Sequence, residues 1–467
     1  ALEIFDRLGC GQTMVDLGVT WSVGKVFHRD RLLYRLDLLP EAGHRRPAFI
    51  NLQQYHLERI LVDRLQALGG EIRGRNRVVG VGPRDDGAWV EIETPDGRYQ
   101  MSCDWLVACD GAHSRVRGML GLDFAGRVFE DRFLIADVRM DADFPTERWF
   151  WFDPPFNPGQ SALLHKQPEG LWRIDLQLGR DADPELEKRP ERVTPRLQAM
   201  LGDVAFDYEW ISVYTFHCRR MERFRHGRVL FAGDAAHQVS PFGARGCNSG
   251  IADVDNLCWK LARVLDGAAG VELVDSYDLE RGPAADENIA HSTRATDFIS
   301  PRSPVSRMFR DCVLELARDA EFARRLVNSG RLSTASVYDG SPLNGPDLLR
   351  DGPPARRPGA PAADASVVTG EGVGWLLDRL PTPGLVLFVE RAEEAGPIIP
   401  TLQAEALIVA RSGSPDTRLV IDNDGVATAR YGAGAVYAFR PDRHVAARGR
   451  LTDAAEVGAA LVLGLGG

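Results

Sequence analysis

The sequence predicts an α/β fold with a doubly wound domain, an inserted, mostly antiparallel β-sheet domain and a small C-terminal α/β domain. Two short apolar runs, residues 105–109 and 228–232, each end beside a glycine and an aspartate, as buried strands do at the binding edge of a parallel sheet. Between them, residues 126–220 hold recurrent strand-like runs and one obvious helix, over 195–201. At 467 residues, two or three domains are expected.

The spacing of apolar residues and the positions of turn residues predict the helices and strands of the first domain. Residues 54–68 place apolar side chains three and four apart and stop at two glycines, which predicts a helix. Strands are predicted over 77–81, 88–93 and 99–103, the last two joined by a Pro-Asp-Gly turn. After the second buried strand, a glycine-rich loop leads into a long helix over 248–265, followed by helices over 273–298 and 306–327.

The C-terminal part begins after a change in composition. Residues 340–365 are rich in Pro, Gly, Asp and Ala without periodicity, which indicates a linker. Strand-like runs then recur, and a helix is expected from Asp453. These runs cover 375–380, 385–390, 406–410, 419–422 and 435–440.

Composition narrows the classes of function. Lys and Arg number 56 against 66 Asp and Glu, and the net charge of -10 argues against a broad nucleic-acid-binding surface. No apolar run approaches the roughly 18 residues of a membrane span, and no signal peptide is visible. The seven scattered cysteines include no C-x-x-C pair, so neither a disulfide framework nor a zinc site is indicated. We expect free thiols in the cytoplasm.

The strongest candidate site follows the second buried strand. It runs from Gly233-Asp234-Ala235-Ala236-His237 into Pro241-Phe242-Gly243-Ala244-Arg245-Gly246-Cys247-Asn248. A carboxylate at a strand end can accept hydrogen bonds from sugar or ribityl hydroxyls, and glycines let the backbone approach a flat ring closely. A helix beginning near Asn248 would direct free N–H groups and its positive dipole end at a negatively charged ligand. An unrelated strand-loop-helix unit is the alternative.

This run resembles the second flavin fingerprint of the flavoprotein monooxygenases of the p-hydroxybenzoate hydroxylase family. The resemblance implies that Asp234 binds the ribityl or ribose hydroxyls and that Pro241 lies near the reactive face of the isoalloxazine ring. It implies further cofactor contacts through the loop glycines and backbone donors to the pyrimidine ring. The residues concerned are Gly233 and Gly243, and Gly246, Cys247 and Asn248.

Two weaker signals resemble the same family. Cys109-Asp110-Gly111-Ala112-His113-Ser114-Arg115-Val116-Arg117 is similar to its D-G-x-x-S-x-V-R motif, which implies FAD and NADPH binding by Asp110, Gly111 and Arg117. A strand-end acid, a capping serine and two guanidinium groups suit a pyrophosphate, although either arginine could be a solvated surface charge. A glutamine opening the 54–68 helix contacts the cofactor in the family. Gln54 is the better match, with an ordinary first-turn residue as the alternative.

The sequence departs from the family pattern in two places. Such enzymes begin with a strand, G-x-G-x-x-G and a helix, and no such run is present; the opening residues 1–5 read as the middle of a helix. We therefore expect the first nucleotide-binding segment to be missing from this sequence. Arg245 stands in a run that is G-G-Q-G-like in many members, and its charge either lies beside the flavin or turns to solvent.

The resemblance implies an FAD-dependent aromatic monooxygenase that uses NADPH or NADH and O2 to hydroxylate a phenolic substrate through a flavin hydroperoxide. Tyr214 and His217 could hydrogen-bond a phenol and help to remove its proton, and Pro241 completes the candidate catalytic set. Trp210 and the aromatic residues 149–152 are further pocket candidates, with ordinary packing as the alternative for each. A flavin-dependent reductase of the same fold and a truncated, non-catalytic chain are the alternative functions.

The resemblance is closest to the branch with 3-(3-hydroxyphenyl)propionate hydroxylase, phenol hydroxylase and polyketide hydroxylases, and it implies the domain limits. That branch carries a C-terminal thioredoxin-like domain, and residues 436–446 resemble its R-P-D-x-x-V-A hairpin. No cysteine follows Cys312, so this domain cannot carry out dithiol chemistry. We expect it to have a structural or dimerisation role. The expected partners are a small aromatic substrate and O2, with a homodimer as one open assembly state and no nucleic acid or membrane. The predicted limits are 1–17, 41–125 and 221–335 for the FAD-binding domain, 18–40 and 126–220 for the substrate-binding sheet, 336–365 for the linker and 366–467 for the thioredoxin-like domain.

Overall fold

A computed structural model describes residues 1–39, 41–328, 333–402 and 404–466. Parts of the predicted domains at residues 40, 329–332, 403 and 467 lie outside the described residues. The helices are α1 Leu2–Arg7, α2 Gly11–Leu17, α3 Gln54–Ala67, α4 Arg115–Met119, α5 Pro184–Glu187, α6 Pro190–Leu201, α7 Arg245–Leu265, α8 Asp275–Ile299, α9 Pro304–Ala317, α10 Glu321–Asn328, α11 Leu376–Arg379, α12 Val426–Tyr431 and α13 Ala454–Gly464.

The strands fall into five sheets. They are β1 Val19–Trp21, β2 Val23–His28, β3 Arg31–Asp37, β4 Phe49–Asn51, β5 Arg77–Pro83, β6 Ala88–Thr94, β7 Gly97–Cys103, β8 Leu106–Ala108, β9 Ala125–Met140, β10 Arg148–Phe152, β11 Ser161–Lys166, β12 Leu171–Leu178, β13 Phe206–Arg220, β14 Arg225–His226, β15 Val229–Phe231, β16 His237–Gln238, β17 Ser366–Thr369, β18 Gly372–Trp375, β19 Gly384–Arg391, β20 Ala406–Ser412, β21 Leu419–Ile421, β22 Ala435–Phe439 and β23 Val445–Arg450. The predicted α/β fold class is confirmed.

The largest sheet has eight strands in the order β16-β13-β9-β12-β11-β10-β2-β3. Its neighbours are antiparallel except β10 and β2, which run parallel. Helix α6 covers one face, where Val193 and Leu197 pack into an apolar cluster with Trp172 and Ile174. The other face packs against α8 and α9 through Phe133, Phe152, Ile299 and Leu314. Because α6 fills its own side so completely, any space for a ligand lies on the α8 side.

A small three-stranded sheet, in the order β14-β15-β8, brings the two motif strands together. Strands β8 and β15 are parallel, with Ala108 opposite Phe231, so their carboxyl ends lie at the same edge. β15 is buried as predicted, whereas β8 is half-exposed because it is the edge strand. The remaining small sheets pair β1 with β4 and order β5-β6-β7.

The C-terminal sheet has seven strands in the order β18-β17-β21-β20-β19-β22-β23, with β19, β20 and β21 parallel. Helix α12 packs on one face through Ala427 and Tyr431, and α13 packs on the other through Val457 and Leu461. The two apolar clusters give this part of the chain a core of its own.

A buried ionic cluster ties the C-terminal sheet to α7 and α8. Arg440 donates to both carboxylate oxygens of Glu280, at 2.5 and 3.0 Å, and to Asp442 at 2.6 Å. The Lys260 ammonium donates to Glu280 at 2.6 Å. All four side chains are almost completely buried, so the contact between these parts is specific as well as apolar.

Several predicted boundaries differ from the structure. The helix predicted from 195 begins at Pro190, because a proline at the first helical position loses no hydrogen bond. The helix predicted over 306–327 is two helices, since the chain turns where Asp319 and Ala320 donate to the carbonyl of Leu316. The strand predicted over 375–380 is the end of β18 followed by α11. Across the described residues, the model contains no helix long and apolar enough to cross a bilayer.

Candidate active site

The first motif forms a compact turn at the end of β8. The carboxylate of Asp110 accepts a hydrogen bond from the backbone of Val116 at 3.0 Å, and the Ser114 hydroxyl caps α4 by accepting from the backbone of Arg117 at 3.0 Å. No heavy atom outside the adjoining chain lies within 4 Å of the position that a Cβ on Gly111 would take. Asp110 and Gly111 therefore border open space, as a ligand-binding turn requires.

Arg117 turns inward. Its guanidinium donates to the carbonyls of Ala235 at 2.7 Å and Ala112 at 3.0 Å, and stacks over Phe124 at 3.9 Å from the ring centre. The side chain is buried, and this burial lowers its pKa. Arg117 thus joins the two motif loops, and its donors in this structure are directed at the backbone rather than at an open pyrophosphate position.

The second motif is held from behind by a buried aspartate. Asp253 accepts hydrogen bonds from the backbone of Gly233 at 2.9 Å, from His237 Nε2 at 2.6 Å and from Arg281 Nε at 2.7 Å. Burial raises the pKa of Asp253, but the charges of His237 and Arg281 outweigh it and bring the pKa to about 2. The network fixes the turn at Gly233, whose φ of +62° favours glycine.

Asp234 projects from this fixed turn into the open. Its side chain is exposed, beside the edge where β8 and β15 end. The surrounding protein raises the pKa of its carboxyl group by desolvation. His237 is buried, which places it in the support of the loop rather than at its surface. The geometry leaves Asp234 available to accept hydrogen bonds from a ligand.

The loop after Pro241 reaches its helix earlier than predicted. The backbone of Ala244 donates to the carbonyl of Pro241 at 2.9 Å and adopts a left-handed conformation, with φ at +51°, so α7 begins at Arg245 rather than near Asn248. The Asn248 amide donates back to the carbonyl of Ala244 at 2.7 Å. Pro241 is exposed, and Gly246, Cys247 and Asn248 form the first turn of α7.

The first turn of α7 is a free donor surface. Among the described residues, no side chain caps it. A Cβ on Gly246 would have only Val239 within 4 Å, at 3.7 Å. Arg245 is buried and donates to Asn288 of α8 at 2.7 Å. The solvent-facing alternative for Arg245 is therefore wrong, and its position beside the flavin stays a prediction.

These features fit the isoalloxazine and ribityl parts of FAD. Open N–H groups at the start of a 21-residue helix favour an anionic ring edge. The open space at Gly111 and Gly246 admits a flat group. The Asp234 carboxylate can accept a hydrogen bond from a hydroxyl group at the edge where β8 and β15 end. The contacts of each motif residue with the cofactor stay predictions.

Gln54 is placed differently from Gln53. The Gln54 side chain is exposed and its amide donates to Glu58 on the same helix at 2.7 Å. Gln53 precedes the helix, donates to the carbonyl of Pro168 at 3.4 Å, and has a buried Oε1 with no hydrogen-bond partner. Gln54 remains the predicted cofactor contact, while Gln53 faces the large sheet.

An aromatic cavity lies between the large sheet and the Pro241 loop. Phe150 and Phe152 of β10 and Phe242 and Gly243 of the loop line it, together with residues of β2, β3 and α8. The remaining lining residues are Trp21, Gly24, Leu36, Leu38, Arg148, Ala295, Ile299 and Val327. A more open groove runs along α9, and none of the predicted site residues lines it.

Of the predicted pocket candidates, Phe150 and Phe152 line the cavity, whereas Tyr214, His217 and Trp210 do not. Trp210 and Tyr214 are 61% and 47% exposed. His217 is half-buried; burial, together with Arg219 and His113, lowers its pKa, and its Nδ1 is enclosed without a partner. The structure therefore places His217 near the first motif loop and separates it from Phe150 and Phe152.

Sequence reasoning missed the polar residues on the cavity side of the sheet. These are His165, Arg173 and Asp175, which alternate with apolar residues that face α6. Charged residues at every second position of an otherwise apolar strand, as in 171–178, were the available signal. Only the strand register shows that they share the face of the sheet on which Phe150 lies.

Comparisons with known proteins agree with this geometry. The FAD binding domain family matches residues 1–292. The 12-dehydrotetracycline 5-monooxygenase/anhydrotetracycline 6-monooxygenase of Streptomyces rimosus is 32% identical over 315 residues, which cover 63% of this chain and 59% of that protein. The 3-(3-hydroxy-phenyl)propionate/3-hydroxycinnamic acid hydroxylase of Mycolicibacterium smegmatis is 32% identical over 269 residues, 57% of this chain and 47% of that protein.

The fold is shared over almost the whole length. The crystal structure of the flavin-dependent monooxygenase PieE with FAD and substrate superposes with a TM-score of 0.79 at 22% identity, covering 99% of this chain and 90% of that one. The chain spans less than two thirds of the length of the two relatives above. The family match alone covers more than half of the chain, and the chain therefore belongs to the FAD-binding family of flavoprotein monooxygenases to which the p-hydroxybenzoate hydroxylase resemblance pointed.

Proposed function

We propose that this protein is an NAD(P)H-dependent aromatic monooxygenase acting on a phenolic substrate. In the balanced reaction, an aromatic C–H, O2, NAD(P)H and a proton give an aromatic C–OH, water and NAD(P)+. One observation carries the proposal: the loop that opens α7 with free N–H groups also borders the aromatic cavity through Phe242 and Gly243. A flavin bound at the first turn of α7 would therefore share this loop with a cavity that can hold an aromatic ring.

The chain's own residues would bind, orient and exclude water. When bound, FAD supplies O2 activation with electrons from the nicotinamide. Asp234 accepts hydrogen bonds from hydroxyls of the cofactor, and Gly246, Cys247 and Asn248 donate backbone hydrogen bonds to its ring. Phe150, Phe152 and Phe242 surround an aromatic substrate and keep water out. Arg117 and Asp253 hold the two loops in place.

Pro241, Tyr214 and His217 remain the candidate catalytic residues, although Tyr214 and His217 do not line the cavity. The relatives above are named as a monooxygenase of 12-dehydrotetracycline and anhydrotetracycline and a hydroxylase of 3-(3-hydroxy-phenyl)propionate and 3-hydroxycinnamic acid, which supports a hydroxyaromatic substrate class. A cytoplasmic location is proposed because all seven cysteines are free thiols. For the C-terminal part, a structural or dimerisation role is proposed.

Isotope labelling tests the proposal directly. The protein is incubated with FAD, NADPH or NADH, ¹⁸O2 and either 3-(3-hydroxyphenyl)propionate or 1-hydroxyanthraquinone. We expect the phenol to stimulate nicotinamide oxidation and one ¹⁸O atom to appear in the product. Nicotinamide oxidation that leaves the product free of ¹⁸O would favour the reductase alternative, and no phenol-stimulated oxidation with either substrate would contradict the monooxygenase proposal.

A further inference from the structure

Strand register places a polar row beside the aromatic cavity. Directly paired residues of neighbouring strands share a face, and the pairs Phe150–Leu163, Leu163–Asp175, Asp175–Ile135 and Ile135–Ser212 form one row across five strands. The next row contains His165, Arg173 and Asp137. Phe150 lines the cavity, and Asp175 lies two strands away in the same row, on the same face of the sheet.

Asp175 cannot point to the other face. Its strand neighbours Ile174 and Leu176 are fully buried against α6, together with Val193 and Leu197. Because side chains alternate along a strand, Asp175 and Arg173 face the cavity side. Both are half-buried, as expected for residues in a deep cleft.

Three atoms on this face have no hydrogen-bond partner among the described residues. They are Asp175 Oδ1, His165 Nδ1 and Ser212 Oγ, each enclosed by protein. His165 Nε2 lies 3.1 Å from the amide nitrogen of Gln167, so Nε2 accepts and Nδ1 carries the hydrogen. The face therefore offers an unused acceptor at Asp175 and an unused donor at His165. Buried polar groups are rarely left unpaired, so these atoms can take a bound ligand or a water molecule as a partner.

The surrounding charges keep Asp175 available. Arg173 is engaged by Asp137 through two hydrogen bonds of 2.8 Å. Burial raises the pKa of Asp175 to about 6, against the charges of Arg173 and Arg148, with Asp137 adding to the rise. The pKa of His165 is well below its ordinary value, because of burial and then Arg148 and Arg173. Near pH 7.5 Asp175 is thus largely a carboxylate and His165 is neutral.

We propose that Asp175 and His165 select hydroxyaromatic substrates that carry an oxygen next to the ring hydroxyl. Asp175 accepts the hydrogen bond of the ring O–H, and His165 Nδ1–H donates to the neighbouring carbonyl or hydroxyl oxygen. The inference rests on the proposed function, since it assigns the cavity to the aromatic substrate. It makes Asp175 a specificity-determining residue that binds substrate directly.

The test compares a phenol with its methyl ether. 1-Hydroxyanthraquinone and 1-methoxyanthraquinone are titrated into the protein at pH 7.5, with tryptophan fluorescence as the readout, because Trp21 lines the cavity. A hydrogen bond to a charged group leads us to expect the hydroxy compound to bind about tenfold or more tightly than its ether. Asp175→Leu reduces this preference to about threefold or less, while its unchanged affinity for the ether shows that the cavity is intact.

Two controls complete the experiment. Asp207 lies on β13 of the same sheet but is exposed, and Asp207→Leu keeps the wild-type preference. Without any substitution, lowering the pH to 5 protonates Asp175 and reduces the wild-type preference as well. Arg173, Arg148 and Asp137 act on this carboxyl, and His165, Arg139, Asp207 and Tyr214 share its face of the sheet.

The outcomes separate the inference from the proposed function. Equal binding of phenol and ether by the wild type, binding of neither, or a preference that survives Asp175→Leu overturns the inference. ¹⁸O in the product together with any of these leaves the proposed function standing alone. A preference that depends on Asp175 without ¹⁸O in the product leaves a phenol-binding site in a protein that does not hydroxylate.

Discussion

Asp253 sets the conformation of a loop that lies twenty residues before it in the chain. It accepts from Gly233, His237 and Arg281 at once, so the position of Asp234 depends on a carboxylate that is itself fully buried. Arg117 is a parallel case, because its guanidinium binds two loop carbonyls. Asp253 and Arg117 therefore both act by fixing the conformation of the motif loops.

Asp253→Asn is expected to destabilise the protein by about 3–5 kcal/mol, because it leaves the buried Arg281 guanidinium without its counter-charge. Urea denaturation measures the free energy of unfolding. The matched control is Asp286→Asn, which breaks an exposed ion pair with Arg220 and costs about 1 kcal/mol or less. If the two variants lose equal stability, the hydrogen bonds of Asp253 do not stabilise the loop at Gly233.

The residues that the sequence did not predict share one physical cause. Motif residues such as Asp110 and Asp234 could be predicted because strand, turn and helix are local patterns. Asp175 and His165 depend on the order of strands, including the parallel pairing of β10 with β2, which brings together residues more than 100 positions apart. The inward turn of Arg117 depends on a carbonyl 118 residues away, which no local pattern reveals.

Helix α7 is the element on which the cofactor proposal depends. The sequence predicted its existence and length well, because the apolar spacing extends over five turns, but placed its start at an asparagine that is a good N-cap residue. The left-handed Ala244 ends the loop earlier, so Gly246 and Cys247 become helical and Asn248 bonds back to the loop. Because Ala244 donates to Pro241, the backbone N–H groups of Arg245, Gly246 and Cys247 are the ones that the helix itself leaves without an acceptor.

Gly246→Ala separates helix stability from cofactor binding. A Cβ at this position meets only Val239 at 3.7 Å, so the protein itself tolerates it, and alanine in a helix is favoured over glycine by about 0.5–1 kcal/mol. We expect an unchanged or raised melting temperature together with about tenfold weaker FAD affinity, equivalent to about 1.4 kcal/mol.

The measurement is titration of the apoprotein with FAD, beside thermal unfolding. Gly118→Ala in α4 is the control, since a Cβ there meets no atom of the described residues within 4 Å; it should leave the FAD affinity unchanged, with a melting temperature that is unchanged or raised as in Gly246→Ala. If Gly246→Ala and the wild type bind FAD with the same affinity, the flavin does not bind at the first turn of α7.

Across the whole molecule, the C-terminal part is joined to the flavoprotein core by charge. Arg440 and Asp442 come from the turn after β22, and Glu280 and Lys260 come from α8 and α7. The sequence predicted the hairpin from its resemblance and the domain from its strand pattern. It did not indicate the contact, because two lone charges in different helices carry no signal that they are partners. Helix α7 therefore contributes to the cofactor surface at one end and to this junction along its length.

Lys260 gives the junction a measurable dependence on pH. Burial lowers the pKa of Lys260 to about 8, although Glu280 opposes the shift, whereas an unfolded lysine titrates near 10.4. Below pH 8 both states hold the proton; between about 8 and 10.4 the unfolded state holds it and the folded state does not. Because the unfolded state then binds more protons, the free energy of unfolding rises with pH across this window, by about 2–3 kcal/mol.

Lys260→Met removes this rise while filling a similar volume, and the Arg440 guanidinium still pairs with Glu280. We expect the stability difference between wild type and variant, measured by urea denaturation at pH 7, 8, 9 and 10, to move in favour of the wild type as the pH increases. Lys188→Met, at an exposed ion pair with Glu185, provides the reference and should show no such trend. A difference that stays flat from pH 7 to 10 would mean that the folded protein leaves Lys260 with its ordinary pKa, and that the junction does not desolvate it.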